Sequence, residues 1–515
     1  MKNFLLTCKT VRQINNDFKK YHPAIYSKLL SQIFPHGFVQ KSIEELSDEI
    51  IELCRNTNEL RLDNRYSSTN RQKTLLSKQE ITQYQKLQFL ELKDLLNALN
   101  VSGKFNKIDK HKLGRAFSFA CSYTDSNTVE LFIHSGRYHD ISVDCLNQTF
   151  ALDVAKDDDS IIRTLINSNR FYEISQKSLE SALHYASVNG HPGVVQALIE
   201  SGRAHEISLE SFSSAFQCAA ENGESANKKG VMLKSLLILM NFPLFTKIPA
   251  EDLGKALKGA AYNQRGSTFE AIVKSSRFHE ISQEDLNECF YWSMRNFTSI
   301  SAYALITSGR FSEITIDCLD KSLPLAASTD DGTVIKEVVK TKQFQKISVE
   351  SIGKALERAA CNANPRALKA IIDSNRFVEI PLKNFSQSVY PAAGFWYRKH
   401  PIPIENVKML MNCSQFSHID REDLGEIFLH AVYSKREKDI NIKYSDRRCA
   451  IQLFLQSERF IEINISQVME AVNNLIEKND LESLRIFRDC GRFHEISSEL
   501  QEACNCKLDV PAHHM

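Results

Sequence analysis

The phrase SGRYHDIS at residues 135–142 decides the fold, because it returns along the chain. It stands as SNRFYEIS at 168–175, SGRAHEIS at 201–208, SSRFHEIS at 275–282 and SGRFSEIT at 308–315. It returns again as SNRFVEIP at 374–381, SERFIEIN at 457–464 and CGRFHEIS at 490–497. Fainter copies lie at 102–109, 242–249, 341–348 and 413–420. With the isoleucine as anchor, twelve anchors run from Ile108 to Ile496, and eight of the eleven spacings are 33 residues. A fixed period of this size marks an array of supersecondary units, each burying its apolar face only against its neighbours.

Each unit reads as two helices. The residue after the anchor is Ser, Thr, Asp or Asn in ten copies and Pro249 or Pro381 in the other two, which are helix-start residues. Apolar or small residues follow on one helical face, as in Leu179, Ala182, Leu183 and Ala186. A short turn leads to a second helix with its own apolar face, such as Ile161, Ile162, Leu165 and Ile166. Seven copies of the second helix end in Gly or Asn (Gly136, Asn169 and Gly202 among them), predicting a left-handed residue there. An aromatic residue three before the anchor, in eleven of twelve copies, reads as core. The three long spacings of 41, 39 and 44 place extra residues between the two helices of a unit, around 222–230, 394–403 and 434–448.

Eight copies carry Arg four before the anchor, and all eight carry an acid one before it. The four copies with Lys104, Leu244, Gln343 or Gln415 in the Arg place carry Lys or His instead of the acid. A basic column could read RNA or phosphate unit by unit. Acid that appears only with Arg points instead to structural pairs, such as Arg137 with Asp140, Arg170 with Glu173, Arg277 with Glu280 and Arg310 with Glu313.

Residues 182–202, ALHYASVNGHPGVVQALIESG, resemble the ankyrin repeat, with its Leu-His-x-Ala, Asn-Gly-His and paired apolar residues before a terminal Gly. The period is also that of ankyrin repeats. Elsewhere the likeness lies in period and apolar register, and RFxEIS replaces the usual loop. The resemblance implies an all-α, elongated α-solenoid of ankyrin-like helix-turn-helix repeats, with a small helical N-terminal region, acting in protein–protein interaction. The degenerate repeats are similar in style to those of repeat proteins that intracellular bacteria deliver to their hosts. Residues 86–510 are expected to form the solenoid, about eleven full repeats plus flanking half-units. Residues 1–85 form the separate N-terminal region, with a polar loop at about 56–83. Its opening, FLLTCKTVRQINNDFKKYHPAIYSKLL, weakly resembles the second half of an F-box. That resemblance implies a ligase-docking surface of Leu5, Leu6, Cys8 and Val11; an amphipathic capping helix is the plainer reading.

Formal net charge is +1, so no whole-molecule field points to nucleic acid or membrane. Thirteen cysteines offer no zinc spacing and read as thiols in a reducing compartment. No P-loop, G-x-S-x-G, H-E-x-x-H or kinase signature occurs. Asp157, Asp158 and Asp159 read as a solvated turn. The expectation is therefore a non-enzymatic, cytoplasmic monomer that binds a protein partner, with no cofactor or metal, no nucleic-acid partner and no membrane insertion. If the protein is secreted, the cytoplasm is that of a host cell. The insertions are the candidate contact site, because aromatic and basic residues gather there. These are Phe395, Trp396, Tyr397, Arg398 and Lys399 in the second, and Lys435, Arg436, Lys443, Arg447 and Arg448 in the third. A ubiquitin-ligase substrate adaptor and an RNA or phosphate binder are the alternatives.

Overall fold

The computed structural model describes residues 106, 108–123, 126–153, 159–222, 230–328, 332–362, 364–393, 404–433 and 444–508. Among them every regular element is helical, and the chain divides into two compact units after Pro249. The first unit holds the helix pairs Lys110–Tyr123 with Ser126–His134, Val143–Asp153 with Ser160–Ile166, Gln176–Asn189 with Pro192–Glu200, and Leu209–Glu221 with Val231–Met240. The second opens with Ala250–Tyr262 and Gly266–Val273, then Gln283–Arg295 and Ser299–Thr307, then Ile316–Ala326 and Thr333–Val339. It continues with Val349–Cys361 and Pro365–Ile372, Leu382–Ala393 and Ile404–Met411, Arg421–Tyr433 and Tyr444–Gln456, Ile465–Glu477 and Leu481–Arg488, and ends on Ser498–Leu508. Within each unit first helices pack on first helices and second on second, so each unit is an α-solenoid of helical hairpins.

The helices start where the sequence places caps. Ser175, Ser208, Ser282, Thr315 and Ser348 each accept a hydrogen bond from the backbone N–H three residues on. Alanines let neighbouring first helices approach, and Ala182, Ala186, Ala215, Ala219, Ala256, Ala260, Ala355 and Ala359 are fully buried. The link between repeats is one turn of 3-10 helix, such as Phe171–Glu173 or Phe311–Glu313, in place of the β-hairpin of an ankyrin repeat. That turn drives the aromatic three before the anchor onto the first helix. Phe171 meets Phe150 at 5.8 Å between ring centres, and Phe311 meets Phe290 at 5.5 Å.

The second helices do not all close in one way. Gly136, Gly202 and Gly309 have φ of 74°, 79° and 83°, the left-handed closure that the glycine copies foretell. Asn169, Asn375 and Gly491 do not take that conformation, against the sequence expectation. There the turn is held by Phe171 N–H donating to Ser168 O, Phe377 N–H to Ser374 O and Phe493 N–H to Cys490 O, each at 3.2 Å. Asparagine and glycine tolerate the left-handed region but gain nothing from it when a tighter turn satisfies the same carbonyls.

Removing the buried ring should be costly. Phe278→Ala or Phe311→Ala is expected to lose roughly 3–5 kcal/mol in urea unfolding. Losses below 1 kcal/mol would mean that this column is not core.

Candidate protein-recognition surface

The arginine of the repeated phrase works in two directions. Forward, it pairs with its own acid. Arg170 Nε and Nη2 donate to Glu173 at 2.9 and 2.6 Å, and Arg310 donates to Glu313 at 2.8 and 2.6 Å. Arg277 donates to Glu280 at 2.8 and 2.5 Å, and Arg137 Nε to Asp140 at 2.8 Å. Backward, it reaches the turn of the preceding repeat. Arg170 donates to the carbonyls of Tyr138 and Ile141, Arg376 to those of Phe344 and Ile347, and Arg492 to those of Phe460 and Ile463. The guanidinium also lies over the preceding aromatic ring, 5.4 Å from the centre of Tyr138 for Arg170 and 5.3 Å from Phe278 for Arg310. These hydrogen bonds hold the carboxyls of Glu173, Glu206, Glu280, Glu313, Glu462 and Glu495 below their ordinary range. Asp140 is lowered to about 2, first by Lys110 and then by Arg137.

Two copies without Arg do the same job with an amide. Gln343 Nε2 donates to Ser312 O at 2.7 Å, and Gln415 Nε2 donates to Phe377 O and Ile380 O at 3.0 and 3.1 Å. A glutamine needs no acid, which accounts for the loss of the carboxylate in these units. A second tie crosses repeats six residues after the anchor. Asn147, Glu180, Asn287 and Asp320 accept the backbone N–H of Ser175, Ser208, Thr315 and Ser348 at 2.7–2.9 Å. Where Pro249 and Pro381 offer no N–H, the residue at that place is Ser213 or Gly353.

The arginine column is thus turned inward and spent on its own chain. Of the candidate contact residues, Phe395, Trp396, Tyr397, Arg398, Lys399, Lys435, Arg436 and Lys443 lie outside the described residues, as does the side chain of Arg447. Tyr444–Gln456 is helical, so the last insertion ends before Tyr444 instead of running to Arg448. Arg448 is ion-paired with Glu482. Both later insertions leave first helices that pack on each other, Leu382–Ala393 and Arg421–Tyr433. His184 Nδ1 stands 3.4 Å from Ser214 Oγ and 3.9 Å from Cys218 Sγ, and burial pushes the Cys218 thiol up. A thiol held in its protonated form is a poor nucleophile. Asp159 pairs with Arg163 at 2.8 Å; its neighbours Asp157 and Asp158 lie outside the described residues.

A surface that sequence reasoning missed lies at the turn edge of the second unit. Tyr262, Phe297, Ile300 and Tyr303 are exposed by 56, 58, 55 and 45%. Tyr262 stands edge-on to Trp292 at 4.9 Å, and the Arg295 guanidinium lies 5.3 Å from the Trp292 centre and donates to Tyr291 Oη at 3.3 Å. Asn296 Nδ2 donates to Tyr262 O at 2.7 Å, tying the two turns together. Phe297 has φ of 59° and closes its helix as the left-handed residue, with Thr298 N–H donating to Ser293 O. The equivalent places hold Gly190, Gln264 and Asn479, also at positive φ. A bulky side chain there costs about 1–3 kcal/mol. The signal was present in the sequence, since Phe297 stands sixteen after its anchor where Gly190 stands in the unit most like an ankyrin repeat.

Residues 117–211 match the family model of ankyrin repeats, in three copies. No curated protein matches the chain, and no solved structure does.

The double use of the arginine gives two expectations. Arg376→Ala should cost about 1–3 kcal/mol, because two carbonyls lose their buried donor, whereas Arg376→Gln should keep most of that stability by bonding as Gln343 does. Equal losses in urea unfolding would remove the carbonyls from the account. The carboxyls lie lower when folded than unfolded, so their contribution is complete above the unfolded value and drains as pH falls through the folded one. The urea midpoint should fall from about pH 4.5, with Asp140 last to protonate at about 2. Glu173→Gln and Glu206→Gln together should flatten that fall; an unchanged slope would assign it to other groups.

Proposed function

We propose that this chain is a non-enzymatic protein–protein interaction scaffold that holds its partner on the turn edge, where the two helices of each repeat meet. The exposed aromatic turn of Tyr262, Phe297 and Ile300 carries this reading, because such side chains left in water supply binding energy once a partner covers them. In sequence the two later insertions also fall between the first and second helices of their repeats, with Phe395, Trp396, Tyr397, Arg398 and Lys399 in one and Lys435, Arg436 and Lys443 in the other. Their aromatic and basic composition suits an acidic protein surface. The match of residues 117–211 to ankyrin repeats supports the same class of function.

Use of the arginine column as an RNA or phosphate reader finds no support, since its guanidinium groups are engaged with the chain's own carbonyls and acids. The adaptor reading rests on Met1 to about Leu30, outside the described residues, as does the reading of residues 1–85 as a separate region. No helix among the described residues is long and apolar enough to cross a membrane.

The recognition reading is tested by affinity capture with the full chain, followed by identification of what is retained. A discrete protein partner should be recovered, and Trp396→Ala with Arg398→Glu and Lys399→Glu should reduce its recovery at least tenfold at an unchanged unfolding midpoint. Capture that persists unchanged would remove this insertion from the site. Ligase subunits lost on deletion of residues 1–30 would instead favour the adaptor.

A further inference from the structure

Phe297 presents two facts together. Its ring stands in solvent, and its backbone takes a left-handed conformation that a glycine would adopt without strain. Folding explains neither, since Gly190 and Asn479 close the same turn in other repeats. In the same pair of turns Tyr262 stands edge-on to Trp292, with the Arg295 guanidinium over the indole, and Ile300 is exposed three residues beyond Phe297. Ile300 lies so close to Gly266 that a Cβ on that glycine would come within 3.0 Å of its side chain. Tyr303 extends the surface one turn along the same helix.

Two arginines of these turns have no acidic partner among the described residues. Arg295 lies over Trp292 with Tyr291 Oη as its side-chain hydrogen-bond partner, and the Nε of Arg265 is buried without a hydrogen-bond partner. Neither arginine is ion-paired with an acid among the described residues, unlike Arg277 and Arg310 in the same unit. The acids nearest in sequence are taken, Glu288 and Asp285 by Lys258 and Glu270 by Lys274. An apolar surface edged by two unneutralised guanidinium groups complements a ligand that is both apolar and anionic.

We propose that Tyr262, Trp292, Phe297, Ile300 and Tyr303, edged by Arg265 and Arg295, form a docking site for an acidic peptide segment bearing aromatic or large aliphatic side chains. The site rests on the recognition reading above and goes beyond it, because it is separate in sequence from the insertions. The apolar side chains of the segment lie on Phe297, Ile300 and Tyr303, and its carboxylates face Arg265 and Arg295. Phe297 keeps its strained backbone because the ring is used in binding.

The experiment pans random dodecapeptides displayed on phage against the full chain. An enriched peptide is then synthesised with a fluorescent label and titrated against variants by anisotropy. Enriched sequences should carry net negative charge and at least one aromatic or large aliphatic residue. Phe297→Gly should raise the thermal unfolding midpoint yet weaken the peptide at least tenfold. Arg295→Glu should weaken it at least tenfold, and more so at low salt, whereas deletion of residues 394–403 should leave it bound within twofold. Peptides that bind Phe297→Gly and Arg295→Glu within twofold of the parent chain overturn this site while leaving recognition in place. Enrichment of basic or uncharged peptides overturns it as well, as does a sedimentation shift showing that the patch joins two copies of the chain. No enriched peptide at all counts against this site and, together with a failed capture of any partner, against recognition itself.

Discussion

Most of this architecture hangs on a guanidinium group that reaches back one repeat. The turn before each anchor folds as a single 3-10 turn and leaves carbonyls facing the next repeat, where water is largely excluded. A buried carbonyl without a donor costs about 1–3 kcal/mol. Arginine supplies several donors in one planar fork, enough for the preceding carbonyls and its own acid together. Where an aromatic ring lies under the fork it completes the seam, so hydrogen bonding and apolar packing meet at one place, as in Arg170 over Tyr138 and Arg492 over Phe460.

The period, the helix pairs and the caps were legible because they are written in side-chain types. The arginine was legible as one half of a pair, for its acid is also a side chain. Its other partners are backbone carbonyls, identical in every residue, and so leave no trace in composition. That is why Gln343 and Gln415 read as gaps in the column when they fill it. Asn169 and Asn375 misled for a related reason, since residue type permits a left-handed turn and only the local hydrogen bonds decide whether it is used.

The exposed aromatic turn was hidden differently. Trp292 lies on a repeat helix, and its ring is shared between Tyr262 of one repeat and Arg295 of its own helix. Phe297 falls in what looks like an ordinary polar turn, RNFTS. Aligning the repeats by anchor sets it beside Gly190 and shows the oddity, but its exposure belongs to the packed structure.

The reach of the arginine has a consequence for how such a chain can change length. Arg459 bonds the carbonyls of Phe416 and Ile419 across an interval of 44 residues, just as Arg492 bonds those of Phe460 and Ile463 across 33. Donor and acceptors both lie inside the repeated phrase, so recombination between two copies that carry the arginine regenerates a working joint. Growth between the helices leaves the joint untouched. At the phrase 490–497 Gln501 turns back to donate to Ile496 O at 2.8 Å, a local donor to the same kind of carbonyl. A gene built this way can gain or lose whole units by duplication and deletion without selecting a new interface each time.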